Sequence, residues 1–176
     1  SGLFIGGTLA ELNSMIPLSK NATQFFQQLE ESYNDQVFAL ANMKTNTDFI
    51  ISLLVLALIP AIFEEMLFRG ALQPVCISLT RNVFIGILVT SILFSAIHFS
   101  FYGFLTRLFL GLLLGFVYYI SKNLWLSISV HFFNNAVAVT QLYTLSKAGM
   151  LNNESMNDHI PWYYGVIGIV TLAMLF

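Results

Sequence analysis

Long apolar blocks, separated by short polar stretches, run along this chain, and their lengths predict helices rather than strands. Leu3 to Leu18 is moderately apolar but interrupted by Glu11, Asn13 and Pro17, and is expected to be the tail of a spanning helix. Asn21, with Gln24 three residues on, is placed to cap the next helix. Phe25, Phe26, Leu29, Tyr33, Val37 and Leu40 then recur at helical spacing, with Glu30, Glu31 and Asp35 largely on other faces. That pattern predicts an amphipathic helix, lying on a membrane surface or covering a core. A polar turn follows from Lys44 to Asp48.

Four apolar stretches come next. Phe49 to Leu79 is too long for one simple crossing, which takes about 20 residues. Pro60 and Pro74 are expected to kink or divide it, with Gly70 a further weak point. Phe84 to Phe104 follows, with His98 and Gly103 near its end. Leu105 to Ile120 is short, with Arg107 and Lys122 able to snorkel at its two ends. Its Gly111 and Gly115 form a small-residue pair that lets helices approach closely. Leu124 to Leu142 holds a second histidine, His131. A polar loop from Ser146 to His159 leads to an interfacial aromatic cluster, Pro161 to Tyr164, and a last helix that stops at Phe176.

Composition identifies the solvent. Of 176 residues 57% are hydrophobic and only 9% charged, where a soluble domain carries about 25%. Mean hydropathy is +0.76. So much apolar surface has no place in a soluble fold of this length. We therefore expect an all-α, polytopic integral membrane bundle of about five or six membrane segments plus one amphipathic helix. The net charge of −2 gives no footprint for nucleic acid. The single cysteine, Cys76, excludes an internal disulfide and a Cys-only metal site. No signal peptide is apparent. The chain opens on Ser1 and stops inside an apolar run. Residues 1–176 are expected to be one membrane-embedded domain, truncated at both ends, with its motif core at residues 49–142. Positive charges fall at both ends of the predicted crossings, so they assign no orientation.

Within this apolar background a few polar residues carry the chemistry. Glu64, Glu65 and Arg69 sit in one of the most apolar stretches of the chain. Burying them there costs several kcal/mol, of order 2 to 4 each, unless they are paired or used. Glu65 and Arg69 are four apart, acid first, the favoured order for a helical ion pair. Glu64 points about 100° away and faces a different environment. A glutamate in such a setting suits a general base for water. His98 ends the run Phe94-Ser-Ala-Ile-His98; alone it reads as an interfacial or hydrogen-bonded structural residue. His131 and Asn135 are four apart and share a helix face, which implies a polar cavity or a neighbouring helix. Asn134 points elsewhere and reads as structural.

Glu-Glu-x-x-x-Arg, Phe-x-x-x-His and His-x-x-x-Asn thus occur in order on three successive apolar segments, with Gly70 after the arginine. This ordered set, from Phe63 to Asn135, resembles the CAAX protease and bacteriocin-processing (CPBP) family, also called Abi. Its best-known members are type II CAAX prenyl endopeptidases, which are intramembrane glutamate proteases. The resemblance implies that Glu64 activates water for attack on a peptide carbonyl and that His98 holds or polarises that water. It implies that His131 and Asn135 donate to the developing oxyanion, and that Glu65 and Arg69 lock the glutamate helix. Membrane lipid and a membrane-associated peptide or protein are the implied partners, with prenylated tails and bacteriocin-like peptides as substrate classes. No cofactor is expected.

Three other readings use the same residues. A zinc hydrolase would take Glu64, His98 and His131 as ligands with the second glutamate as base, although no His-Glu-x-x-His is present. A proton-coupled transporter would use the glutamates and histidines as a relay. A non-catalytic membrane scaffold would keep them for packing. A Gly-x-Ser-x-Gly serine protease is not supported. Cys76 reads as a small buried residue, and His159 as a surface residue.

Overall fold

A computed structural model describes Pro17 and residues 19–151. The expectations for Leu3 to Leu18 (Pro17 apart), His159, the aromatic cluster and the last helix lie outside the described residues. Within them the fold is all-helical. Helix α1 spans Lys20–Ala41 and α2 Asn46–Thr80; α3 spans Val83–Ala96, α4 Phe104–Ser121 and α5 Leu124–Lys147. Two of these, α2 and α4, are long and apolar enough to cross a membrane, and α3 is a shorter apolar helix. The expectation of about five or six membrane segments is thus met only in part. Only 22% of the apolar window of α2, and 22% of that of α4, is buried inside the protein. Most of that surface faces outward, unlike a core helix of a soluble fold. Large apolar residues such as Leu79, Phe84, Ile120 and Trp125 are more than two-thirds exposed.

Local chemistry sets the ends. Ser19, not Asn21, caps α1: its Oγ accepts from the Ala22 N–H at 3.3 Å. Thr45 caps α2 in a reciprocal box, accepting from Asp48 N–H while Asp48 accepts from Thr45 N–H. The corners after α2 and α4 are alike. A basic residue, Arg81 or Lys122, takes the left-handed conformation, and the next residue, Asn82 or Asn123, caps the following helix. Such tight corners fold neighbouring helices back antiparallel.

Pro60 and Pro74 do not divide α2, which is continuous over 35 residues. Each instead follows a wide π turn, Leu54–Leu58 and Met66–Leu72. The Ile59 N–H reaches back five residues to Leu54 O, and Gln73 N–H likewise to Phe68 O. A proline has no N–H and its ring presses on the carbonyl four residues back. One extra residue in the preceding turn relieves that clash without breaking the helix. The two π turns bracket Glu64 and Glu65.

Close approach along one seam orders the bundle. Gly111 and Gly115 of α4 lie against Ser91 and Ile87 of α3, where an added Cβ would stand 3.0 Å from Ser91 Cβ and 2.7 Å from Ile87 Cγ2. From α2, Arg69 Nη2 donates to Gly111 O at 2.9 Å, and Gln73 Nε2 to Gly115 O at 3.0 Å. The glycine pair therefore docks two neighbouring helices of the same chain, α2 and α3. Between α2 and α5, Met43, Ala57 and Val139 form a second buried cluster.

Candidate active site

The mid-section of α2 presents its two glutamates to different surroundings, as the helical period requires. Glu65 is fully buried; Glu64 is 23% exposed and lines a cavity of about 490 Å³. His98 and His131 line the same cavity, with Asn134, Asn135 and Arg107. Its apolar walls come from several helices, including Val37 and Leu40 of α1, Leu56 of α2 and Leu110 of α4.

Glu64 stands between the two imidazoles. Its Oε1 is 3.8 Å from His98 Nε2, and its Oε2 is 3.7 Å from His131 Nε2. Both separations are too long for a direct hydrogen bond. They suit one small polar molecule touching all three groups. The far nitrogen of each ring is tied down. His98 Nδ1 lies 2.8 Å from Phe94 O, and a carbonyl only accepts, so Nδ1 carries the proton there. His131 Nδ1 lies 3.0 Å from Glu65 Oε1 and donates to that carboxylate. Each ring therefore turns Nε2 to the cavity.

Glu65 is the hub beneath the site. Arg69 Nη1 stands 3.1 Å from its Oε1, and Ser127 Oγ donates to its Oε2 at 2.5 Å. The Arg69 contact is coulombic, because the Nη1–H is not aligned on the carboxylate. Phe94, also buried, packs its ring against His98, His131 and Arg69. Its centroid lies 5.1 Å from that of His98, 5.8 Å from that of His131 and 4.8 Å from Arg69 Cζ. A guanidinium over an aromatic face is attracted by the ring quadrupole.

The structure brings Glu64, Glu65, Arg69, His98 and His131 into one contact set, with Asn135 on the same cavity wall. Asn135 Oδ1 accepts from Asn134 Nδ2 at 3.2 Å. Asn134 thus lines the site, contrary to the expectation that it points elsewhere: its hydrogen bond to Asn135 turns its amide toward the same cavity. Arg107, in the first turn of α4, reaches back toward the start of that helix, as its position suggested, and there it also lines the cavity. The turn at residues 97–103 carries the start of α4 to the site, and the guanidinium lies over Gly103, where a Cβ would meet Nη1. Ser127 and Gln73 were not foreseen either. Each extends a four-residue ladder by one step, Glu65-Arg69-Gln73 on α2 and Ser127-His131-Asn135 on α5. That spacing was the available signal. Among the described residues, no three His, Cys, Asp or Glu side chains are grouped as a metal site needs.

The family described as type II CAAX prenyl endopeptidase Rce1-like matches residues 46–137. No curated protein matches the chain, and no solved structure does.

Proposed function

The chain belongs to the type II CAAX prenyl endopeptidase Rce1-like family, and from that premise we propose that it is a membrane-embedded endopeptidase in which Glu64 activates water. The family supports a membrane peptidase acting on a membrane-associated peptide or protein. The observation that carries the finer reading is the Glu64 carboxylate facing two Nε2 atoms, 3.8 and 3.7 Å away, on the wall of a cavity.

The proposed sequence follows from the tethering of each ring. A water in the cavity gives one proton to Glu64 and directs its other toward His98, whose Nε2 accepts because Nδ1–H is spent on Phe94 O. The water oxygen attacks the peptide carbonyl carbon. The resulting oxyanion is met by the Nδ2 donors of Asn135 and by His131, which donates from Nε2 when it also holds its Nδ1 proton against Glu65. Glu64 then returns its proton to the leaving amine as the C–N bond breaks. Glu65 with Arg69 supplies a fixed counter-charge below the ring. The outward apolar faces of α2 and α4 support an integral membrane location.

The test is a fluorogenic peptide panel anchored in liposomes. Glu64→Gln is expected to abolish cleavage while melting with the wild type, because the amide keeps the shape and loses the base. Full turnover by that variant removes Glu64 from this role. Turnover that follows stoichiometric zinc and is lost to chelators would overturn the metal-free water. Ion flux without any cleavage product would favour a transporter.

A further inference from the structure

Ser127 differs from four hydroxyls on neighbouring turns of these helices, and, where Ser52, Ser95 and Ser146 bond carbonyls of other segments, it bonds a carboxylate. Thr90, Ser91, Ser129 and Thr140 each donate to the carbonyl four residues back, at 2.7 to 2.8 Å. That is how a hydroxyl is commonly satisfied inside an apolar helix. Ser127, fully buried one turn before His131, instead donates to Glu65 Oε2 at 2.5 Å, with Leu114 O a more distant 3.3 Å away.

The carboxylate it holds has three groups against it: Ser127, His131 and Arg69. Arg69 Nε and Nη1 have no aligned acceptor among the described residues, although Nη1 is 3.1 Å from Glu65 Oε1. A carboxylate and a guanidinium in contact frequently pair through two parallel hydrogen bonds. Glu65 does not adopt one: Ser127 holds Oε2 on the α5 side, His131 Nδ1 occupies Oε1, and Arg69 Nη2 is itself bonded to Gly111 O. The spacing of four between Ser127 and His131 puts both donors on one face of α5, so they grip the two oxygens together.

We propose that Ser127 is a positioning residue: its hydroxyl keeps Glu65 turned toward α5, so that the Nδ1–H of His131 stays bonded and Nε2 stays aimed at Glu64. Its effect on turnover rests on the function proposed above; its effect on the ring proton does not. Without the hydroxyl, Glu65 turns to Arg69, and His131 loses the contact that fixes its ring.

The experiment compares Ser127→Ala with wild type in detergent micelles. The pair Ser127→Thr and Ser127→Val, alike in size and different in the hydroxyl, serves if the smaller side chain prevents folding. The Nδ1 proton of His131 is followed by nitrogen-15 NMR, assigned with His131→Gln, and kcat and KM are measured on a liposome-anchored fluorogenic peptide. Loss of the hydroxyl is expected to speed solvent exchange of that proton by tenfold or more. It is expected to lower kcat roughly tenfold to a hundredfold with KM little changed. The threonine variant is expected to keep both nearer wild type than the valine variant. A protected Nδ1 proton and wild-type kcat in Ser127→Ala, or equal behaviour of threonine and valine, would overturn the proposal. A wild type that cleaves no peptide overturns the proposed function and the kcat half of this inference, while the ring proton still decides the orienting half.

Discussion

At the scale of single residues, the distinction that matters is between side chains that face the cavity and side chains that hold them. Arg69 is of the second kind: it is buried, joins α2 to α4 through Gly111 O, and balances Glu65. Arg69→Ala leaves a carboxylate in an apolar interior with no counter-charge beside it. We expect a loss of about 3 to 5 kcal/mol, read as a lower melting temperature in detergent, together with a loss of turnover. Unchanged melting would show that the ion pair does not hold the helix. His131→Ala and Asn135→Ala should act differently. Each removes a donor from the proposed oxyanion site, so kcat is expected to fall about 100- to 1000-fold with a smaller change in KM. Equal losses in both constants would assign these residues to substrate binding. Much of this contact set was legible because its members repeat at spacings of four on helices, and that spacing places side chains on one face whatever the tertiary fold. Arg107 was not, because its place depends on the turn at residues 97–103, whose path no helical period specifies.

Helices and their seams obey a different logic, in which one missing Cβ decides a contact. Gly86 of α3 is buried against the end of α2, and an added Cβ would stand 2.8 Å from the backbone of Ile77. Gly70 is exposed, and its Cβ would meet nothing nearer than Leu124 Cδ2 at 3.7 Å. Alanine is the better helix former by about 1 kcal/mol, so the two substitutions should move stability in opposite directions. Gly86→Ala is expected to lower stability by about 1 to 3 kcal/mol through overpacking against backbone that cannot yield. Gly70→Ala is expected to melt at or above the wild-type temperature. Losses of the same size at both positions would mean that helix propensity and packing do not explain this seam. Close approach at Gly111 and Gly115 could be read from their spacing. Their partners could not, because small residues say that something comes near without saying what. The prolines show the same boundary. Their missing N–H forces a local distortion, but whether the helix breaks or widens depends on how its neighbours pack, and here α5 packs along α2 across both π turns.

For the molecule as a whole, the question is what covers a cavity that holds a glutamate and two imidazoles between largely apolar walls. Helix α1 covers one side of it, contributing Gln36, Val37 and Leu40 to the wall. Two side-chain contacts tie α1 to the turn that carries His98. Ser100 Oγ donates to Glu30 Oε2 at 2.7 Å, and the Phe26 and Phe101 rings stack with centroids 4.9 Å apart. Both partners on the turn lie within a few residues of His98, so holding α1 down and holding the imidazole in place draw on the same short segment. The combined substitution Phe26→Ala with Ser100→Ala removes a stacked pair and a charged hydrogen bond, of order 1 to 2 kcal/mol of local stability. That corresponds to roughly a 5- to 30-fold rise in the population with α1 open. Trypsin cutting after Lys44, in the exposed turn between α1 and α2, is expected to accelerate by about that factor while cutting after Arg81 or Lys122 stays unchanged. Acceleration at all three sites would indicate global loosening, and no acceleration at Lys44 would show that α1 is held by its contacts with α2 and α5 rather than by the turn beside His98.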